Sequence, residues 1–418
     1  MLTYSADWIL PIAGSPIRDG VVTVKDGRIV TVGERPDPRT LAPSHLRTLG
    51  SVAILPALVN AHTHLELSYL HRRVPPSTSF NDWVMALMAL RRSSDLGLPP
   101  IVEAARLGIA RARATGTGLV GDVSNTLITV PLLREMSMPA HVFYELLGFS
   151  HADPKGRVRE ARVSAEAAGI DEGGVRVSLA PHAPYSVSPS LFQAIRIDVD
   201  AHPNAVTTVH LGESAAEVEL LRHGTGPARV MLERLGVWTD GWEIPGMSPT
   251  EYLTGLGFLE PDMLVVHGVQ FDRDDLARVK ASGSTLVSCP RSNAYVGVGA
   301  PPLASFYEAG IEVAFGTDSL ASVADLSMFA ELAEARRVAP NVPARALLRS
   351  ATLAGARGLR FDEEYGSIEA GKRAALIAVR VPPHITDVEE YLVGGVEPDT
   401  IEWLDSGSTP NVPTPGSQ

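Results

Sequence analysis

Val52-Ala53-Ile54-Leu55-Pro56-Ala57-Leu58-Val59-Asn60-Ala61-His62-Thr63-His64 is a run of small and branched apolar residues that ends in two histidines. A short continuous apolar run closed by polar residues reads as a strand covered on both faces, as strands of parallel sheets are. Side chains at i and i+2 of a strand share a face, so His62 and His64 point the same way. Alone the pair says little, because surface pairs and hydrogen-bonded core histidines are common. The rest of the chain gives it weight.

Working outward, seven further apolar runs follow: Leu119 to Val123, His141 to Leu147, Val175 to Leu179, Ala205 to Val209, Met263 to Val266, Thr285 to Ser288 and Ile311 to Phe315. With Val52 to Val59 they make eight strands. Between them lie stretches with an apolar stripe at helical spacing, for example Asn81 to Arg92, Ile101 to Ala114, Ala215 to Leu235 and Asp274 to Ala281. Eight strands, each followed by a crossover, predict an α/β fold, a (β/α)8 TIM barrel. Both flanks read differently. Val21 to Val24, the Lys25-Asp26-Gly27 turn and Arg28 to Val30 form a hairpin pattern, and β-like text returns at Gly366 to Ile368 and Ala374 to Val381. These flanks predict a small β-sandwich domain made from both chain ends, with divisions at 1–55, 56–359 and 360–418 and a loose tail over the last dozen residues.

Composition bounds the function. At 418 residues the chain has room for a barrel and a satellite, and no apolar run approaches the roughly 18 residues of a membrane span. A net charge of −12 repels nucleic-acid phosphates and anionic lipid, so the expected partner is a small-molecule substrate, with neither nucleic acid nor membrane, and self-association into a homo-oligomer is left open. One cysteine, Cys289, rules out a disulfide framework and a thiolate-built zinc site. Without a basic, cleavable leader at Met1 to Gly14, the expected location is cytoplasmic.

The polar residues with chemistry in them stand at the C-terminal ends of the strands, where barrel enzymes put their active sites. His62 and His64 follow the first run, His210 the fifth, His267 the sixth and Asp318 the eighth. Singly, His210 or His267 reads as a core histidine and Asp318 as a helix N-cap. Together, imidazoles and a carboxylate at one mouth match a zinc site that keeps a position open for water.

Four stretches carry a resemblance: Pro56 to His64, His210-Leu211-Gly212-Glu213-Ser214, Val266-His267-Gly268 and Gly316-Thr317-Asp318-Ser319. The chain resembles the amidohydrolase superfamily in its deaminase and chlorohydrolase branch, over nearly its whole length. The resemblance implies His62, His64, His210 and Asp318 as ligands of one divalent ion, zinc first, with iron, manganese or nickel as alternatives. Binuclear relatives need a carboxylated lysine near the end of strand 4, and no lysine lies between Lys155 and Lys280. Gly212 stands where an alanine is expected.

The ion's water becomes a nucleophile near neutral pH. Glu213 is placed to pass a proton to a substrate ring nitrogen, His267 to hydrogen-bond the water or developing oxyanion, and Asp318 to accept a proton as well as ligate. As alternatives, Glu213 is a first-turn helix carboxylate, and the barrel is a silent scaffold or a chlorohydrolase or amidase. On the substrate side, the loop Pro181 to Ser186 resembles one that touches nucleoside ligands, with His182 as its hydrogen-bonding residue. Tyr185 binds or merely packs, and Glu66 meets ribose-type hydroxyls or is a surface carboxylate. Arg291, in Cys289 to Asn293, is placed to meet a carboxylate, with Cys289 a small buried residue. Within the branch, the run His62 to Ser68 and the His182 loop look like those acting on an adenine nucleoside bearing an aromatic carboxylate, a step of a menaquinone route.

Overall fold

A computed structural model describes residues 1–34, 46–93, 97–202 and 204–404. Strands β1 (Leu2–Ile9), β2 (Ile17–Lys25), β3 (Arg28–Glu34) and β4 (Leu46–Pro56) open the chain. The barrel strands follow, β5 (Leu58–Thr63), β6 (Thr117–Ser124), β7 (Ala140–Leu146), the two-residue β8 (Asp171–Glu172), β9 (Val175–Pro181), β10 (Thr207–Leu211), β11 (Met263–His267), β12 (Thr285–Ser288) and β13 (Glu312–Phe315). Last come β14 (Leu376–Arg380) and β15 (Ile401–Leu404).

Strands β5-β6-β7-β9 and β10-β11-β12-β13 form two parallel runs of four. Two seams close them into the eight-stranded barrel. At one, Thr207 Oγ1 donates to Leu179 O (3.0 Å) and His210 N to His182 O (2.9 Å). At the other, Asp318 N donates to His62 O (3.0 Å), and Thr63 and Asp318 pair as a parallel bridge. Every residue of β5, β6, β10, β11 and β12 is buried, which is why these strands read as mainly apolar text. All eight strands or their immediate flanks feed one interior cluster: Val59, Ala61, Leu119, Val123, Phe143, Ala180, Val206, Leu264, Val266, Val287 and Ala314, with Leu359 and Phe361. The barrel is a filled core, and its mouth is floored by hydrocarbon.

Two expectations are corrected here. The strand over Val52 to Val59 is two: β4 ends at Pro56 and β5 starts at Leu58, with Ala57 N donating across to Ala375 O (2.8 Å). Proline has no N–H for a ladder, so the chain changes sheets there. The single helix over Ala215 to Leu235 is also two, Ala215–His223 and Pro227–Arg234. Gly224 takes a left-handed φ of 67° and caps the first, and Pro227 starts the second.

Both chain ends meet in one mixed sheet, ordered β15-β14-β4-β1-β2-β3. Where two facing sheets were expected, the described residues form this single six-stranded sheet, with Tyr4, Ile9, Val22, Ile29, Ile54, Ile368 and Leu376 packed on one another. The tail expected over the last dozen residues lies outside the described residues. Among the described residues, no helix is long and apolar enough to cross a membrane.

Candidate metal and active site

His62 lies inside β5 and His64 just after it, where the chain enters a 3-10 helix, Leu65–Leu70. His210 is the penultimate residue of β10 and His267 the last of β11. Asp318 follows β13 by three residues and adopts a left-handed φ of 59° rather than capping a helix. His267 is likewise left-handed, φ 78°. Such backbone is costly for residues other than glycine and collects at functional sites.

These side chains converge. The His62 ring lies 4.9 Å from both the His64 and His210 rings and 5.9 Å from that of His267. Nε2 of His64 and Nε2 of His210 are 3.4 Å apart, and Asp318 Oδ1 sits 3.6 Å from His64 Nε2 and 3.9 Å from His62 Nε2. Burial strips all four imidazoles of charge: His64 falls to about 3, His267 to about 4, His62 well below its usual value, and His210 is lowered too. Neutral imidazole is the form that ligates. His210 Nδ1 donates to His182 O (2.9 Å), which leaves its Nε2 lone pair facing the cluster. Both ring nitrogens of His62 are buried without a hydrogen-bond partner. An orphaned buried imidazole amid three others and a carboxylate fits a divalent ion. Asp318 is suited to charge as well: burial pushes its carboxyl up, but His64, His267, the Ser292 hydroxyl and His210 outweigh that and hold it low.

Around this centre, Ser292 Oγ donates to Asp318 Oδ2 (2.6 Å). Thr63 Oγ1 donates to Asp318 O (2.9 Å), and Asn60 and Thr317 exchange hydrogen bonds at 2.7 and 3.1 Å. His267 Nδ1 donates to Asn293 Oδ1 (2.9 Å), turning Nε2 toward Glu213 Oε1 at 3.6 Å. Glu213 is 5% exposed and precedes Ser214, the N-cap of the helix Ala215–His223, so it is not a first-turn helix carboxylate. Burial, then Asp318 and Glu217, push its carboxyl well above the usual range.

The remaining candidates are placed as follows. His182 lies 4.9 Å ring to ring from His210; its Nδ1 is 2.6 Å from Ser186 Oγ, and burial lowers it to about 4. Tyr185 is buried edge-on between His182 and Phe80, at 5.6 and 6.5 Å. Glu66 is buried at 4% exposure, not a surface group, and its Oε2 accepts from Ser124 Oγ (2.6 Å), Thr126 Oγ1 (2.8 Å) and Thr126 N (3.2 Å). Arg291 finds its carboxylates within the chain: Nη1 is 2.9 Å from Asp325 Oδ1 and 3.6 Å from Glu331 Oε1. A substrate carboxylate would have to displace Asp325. Cys289 is fully buried in the barrel interior, where burial pushes its thiol up.

Two site residues went unread in the sequence. Glu145, on β7, has Oε1 3.7 Å from His210 Nδ1 and accepts from Asn125 Nδ2 (2.8 Å) at Oε2; its signal was an acid inside an apolar strand. Glu217 accepts from the backbone N–H groups of Gly212 and Glu213. Its signal was the Ser214-x-x-Glu217 spacing of a capping box. Burial brings the Glu217 carboxyl to about 7.

Known proteins resemble this chain over most of its length. The family model described as Amidohydrolase family matches residues 53–408. An aminodeoxyfutalosine deaminase of Deinococcus radiodurans is 30% identical over 83% of this chain and 82% of its own length. A 5-methylthioadenosine/S-adenosylhomocysteine deaminase of Moorella thermoacetica is 29% identical over 94% and 90%. Among solved structures, the Helicobacter pylori aminofutalosine deaminase in complex with methylthio-coformycin superposes with a TM-score of 0.84 at 26% identity, covering 97% of this chain and 99% of that one. An adenosine deaminase from Xanthomonas campestris with bound zinc gives 0.80 at 26% identity, over 97% and 92%. The chain belongs to the amidohydrolase family.

Proposed function

From that membership and the site geometry, we propose that the protein is a one-metal hydrolytic deaminase of adenine-type nucleosides, with His62, His64, His210 and Asp318 holding the ion and zinc as its identity. The observation that carries the reading is Glu213, a buried carboxyl whose Oε1 lies 3.6 Å from Nε2 of the neutral His267 beside the imidazole cluster, and which burial pushes well above the usual range. When bound, the ion supplies Lewis acidity that lowers the pKa of a water toward about 7.

The chain's own residues supply the proton handling. Glu213 donates a proton to a ring nitrogen of the purine, which makes the adjacent amino-bearing carbon electrophilic, and takes one back from the new hydroxyl as the carbonyl forms and ammonia leaves. His267, with Nδ1–H committed to Asn293, offers Nε2 as an acceptor for the attacking water's hydrogen. Asp318, held low in pKa and oriented by Ser292, takes a proton that then leaves with the amino group as ammonia. His182 and Tyr185 form one wall of the base pocket, and Glu66 keeps Oε1 for a sugar hydroxyl while Oε2 is tied to Ser124 and Thr126. The relatives act on several adenine nucleosides at nearly equal identity, 29% and 30%, so the 5′ substituent is set by experiment, with aminodeoxyfutalosine tested first.

The test is ammonia release from adenosine, methylthioadenosine, adenosylhomocysteine and aminodeoxyfutalosine by protein of assayed metal content. Release from at least one, abolished in Glu213→Gln with metal retained, is the expected result. Full activity in that variant removes Glu213 from the mechanism, and silence of metal-loaded wild type across the panel removes the deaminase reading.

A further inference from the structure

Glu217 is wholly buried, 0% exposed, in the first turn of the helix Ala215–His223. Its backbone N–H donates to the N-cap Ser214 Oγ (3.2 Å), so the near half of a capping box is present. In a capping box the carboxylate reaches back to the N-cap's own N–H. Here it reaches further, Oε1 accepting from Gly212 N (3.0 Å) and Oε2 from Glu213 N (3.1 Å). The fork spans the turn between His210 and Glu213, where Gly212 is left-handed at φ 61°.

A buried carboxylate is an expensive way to satisfy two N–H groups that a hydroxyl or water could serve. What a carboxylate adds is rigidity: two parallel acceptors on one planar group fix the relative orientation of two successive peptides. The second of those peptides carries the Glu213 side chain. We infer that Glu217 is a positioning residue for Glu213, clamping the 212–213 turn so that the Glu213 carboxyl stays beside His267 as protons move. This rests on the proposed role of Glu213. A loss of orientation of this kind lowers turnover without loosening substrate.

Glu217→Gln is isosteric, keeps one acceptor and sets an amide N–H against the other backbone donor. The expected result in the metal-loaded variant is one ion per chain, KM within twofold of wild type, kcat lower by at least tenfold, and amide exchange at Gly212 and Glu213 at least tenfold faster. A kcat within threefold with unchanged exchange overturns the inference, as does a joint loss of metal and substrate binding, which a purely structural role would give. Should the variant not fold, exchange in wild type decides: fast exchange of these two amides overturns the clamp, and strong protection supports it. Wild-type ammonia release, measured in parallel, tests the deaminase reading separately from the clamp.

Discussion

Gly212→Ala puts a single methyl group where the turn has no room. At φ 61° an L-residue pays roughly 1–2 kcal/mol for left-handed backbone. A Cβ built there also falls 2.6 Å from Cδ1 of Phe271, well inside van der Waals contact. Phe271 is buried at 6% exposure and cannot swing freely into solvent, so overpacking adds about 1–3 kcal/mol. The sum, roughly 2–5 kcal/mol, is a large part of the stability of an ordinary domain. The assay is urea unfolding of wild type, Gly212→Ala, Phe271→Leu and the double variant, read as midpoints with unchanged slope. Because the steric term needs the ring edge, Phe271→Leu should recover it, giving a coupling of at least about 1 kcal/mol between the two positions. The backbone term should persist in the double variant. A Gly212→Ala loss below about 1 kcal/mol, or strict additivity with Phe271→Leu, refutes the argument.

Two further outcomes are expected. Ser292→Ala removes the hydroxyl from Asp318 Oδ2 and should weaken metal binding by about 10- to 100-fold, seen in competition with a chromogenic chelator; unchanged affinity would show the hydrogen bond to be idle. Glu331, wholly buried, is raised from 4.5 to about 8 mainly by burial, so the folded state binds its proton more tightly than the unfolded one. Its contribution is full below pH ~4.5 and is lost as pH rises through about 8, a slope of ~1.4 kcal/mol per pH unit in between. Glu331→Gln should flatten the fall in urea midpoint between pH 5.5 and 8 relative to wild type, and parallel pH curves for the two proteins would contradict it.

Much of the barrel could be read because parallel strands are buried on both faces and show as apolar runs, and because barrel chemistry gathers at strand ends. That is how His62, His64, His210, His267 and Asp318, spread over 256 residues of sequence, could be grouped before their side chains were seen to meet. Other features left no such trace. The change of sheet at Pro56 lies in continuous apolar text, since both strands are buried, and hydropathy does not report which sheet covers a strand. Whether the flanking strands make one sheet or two depends on pairing partners more than 300 residues apart, such as Ile54 with Ala378. Arg291 drew attention as a free cation only because Asp325 and Glu331, 34 and 40 residues on, carry no local mark of pairing with it. Glu217 acts through backbone N–H groups, and sequence does not print which amides a carboxylate will reach.

The pairing of β14 with β4 also constrains the protein's birth on the ribosome. Strand β4 runs directly into the strand that bears His62, yet its neighbour on one side, Leu376–Arg380, is translated more than 300 residues later, after the whole barrel. While the barrel strands are being made, β4 therefore presents an unpaired, apolar edge, the kind of surface that invites aggregation. The entrance to the metal-bearing strand is sealed only after the last barrel strand has been made, so a nascent protein truncated or stalled before β14 carries an open edge beside its would-be active site and makes a ready client for chaperones.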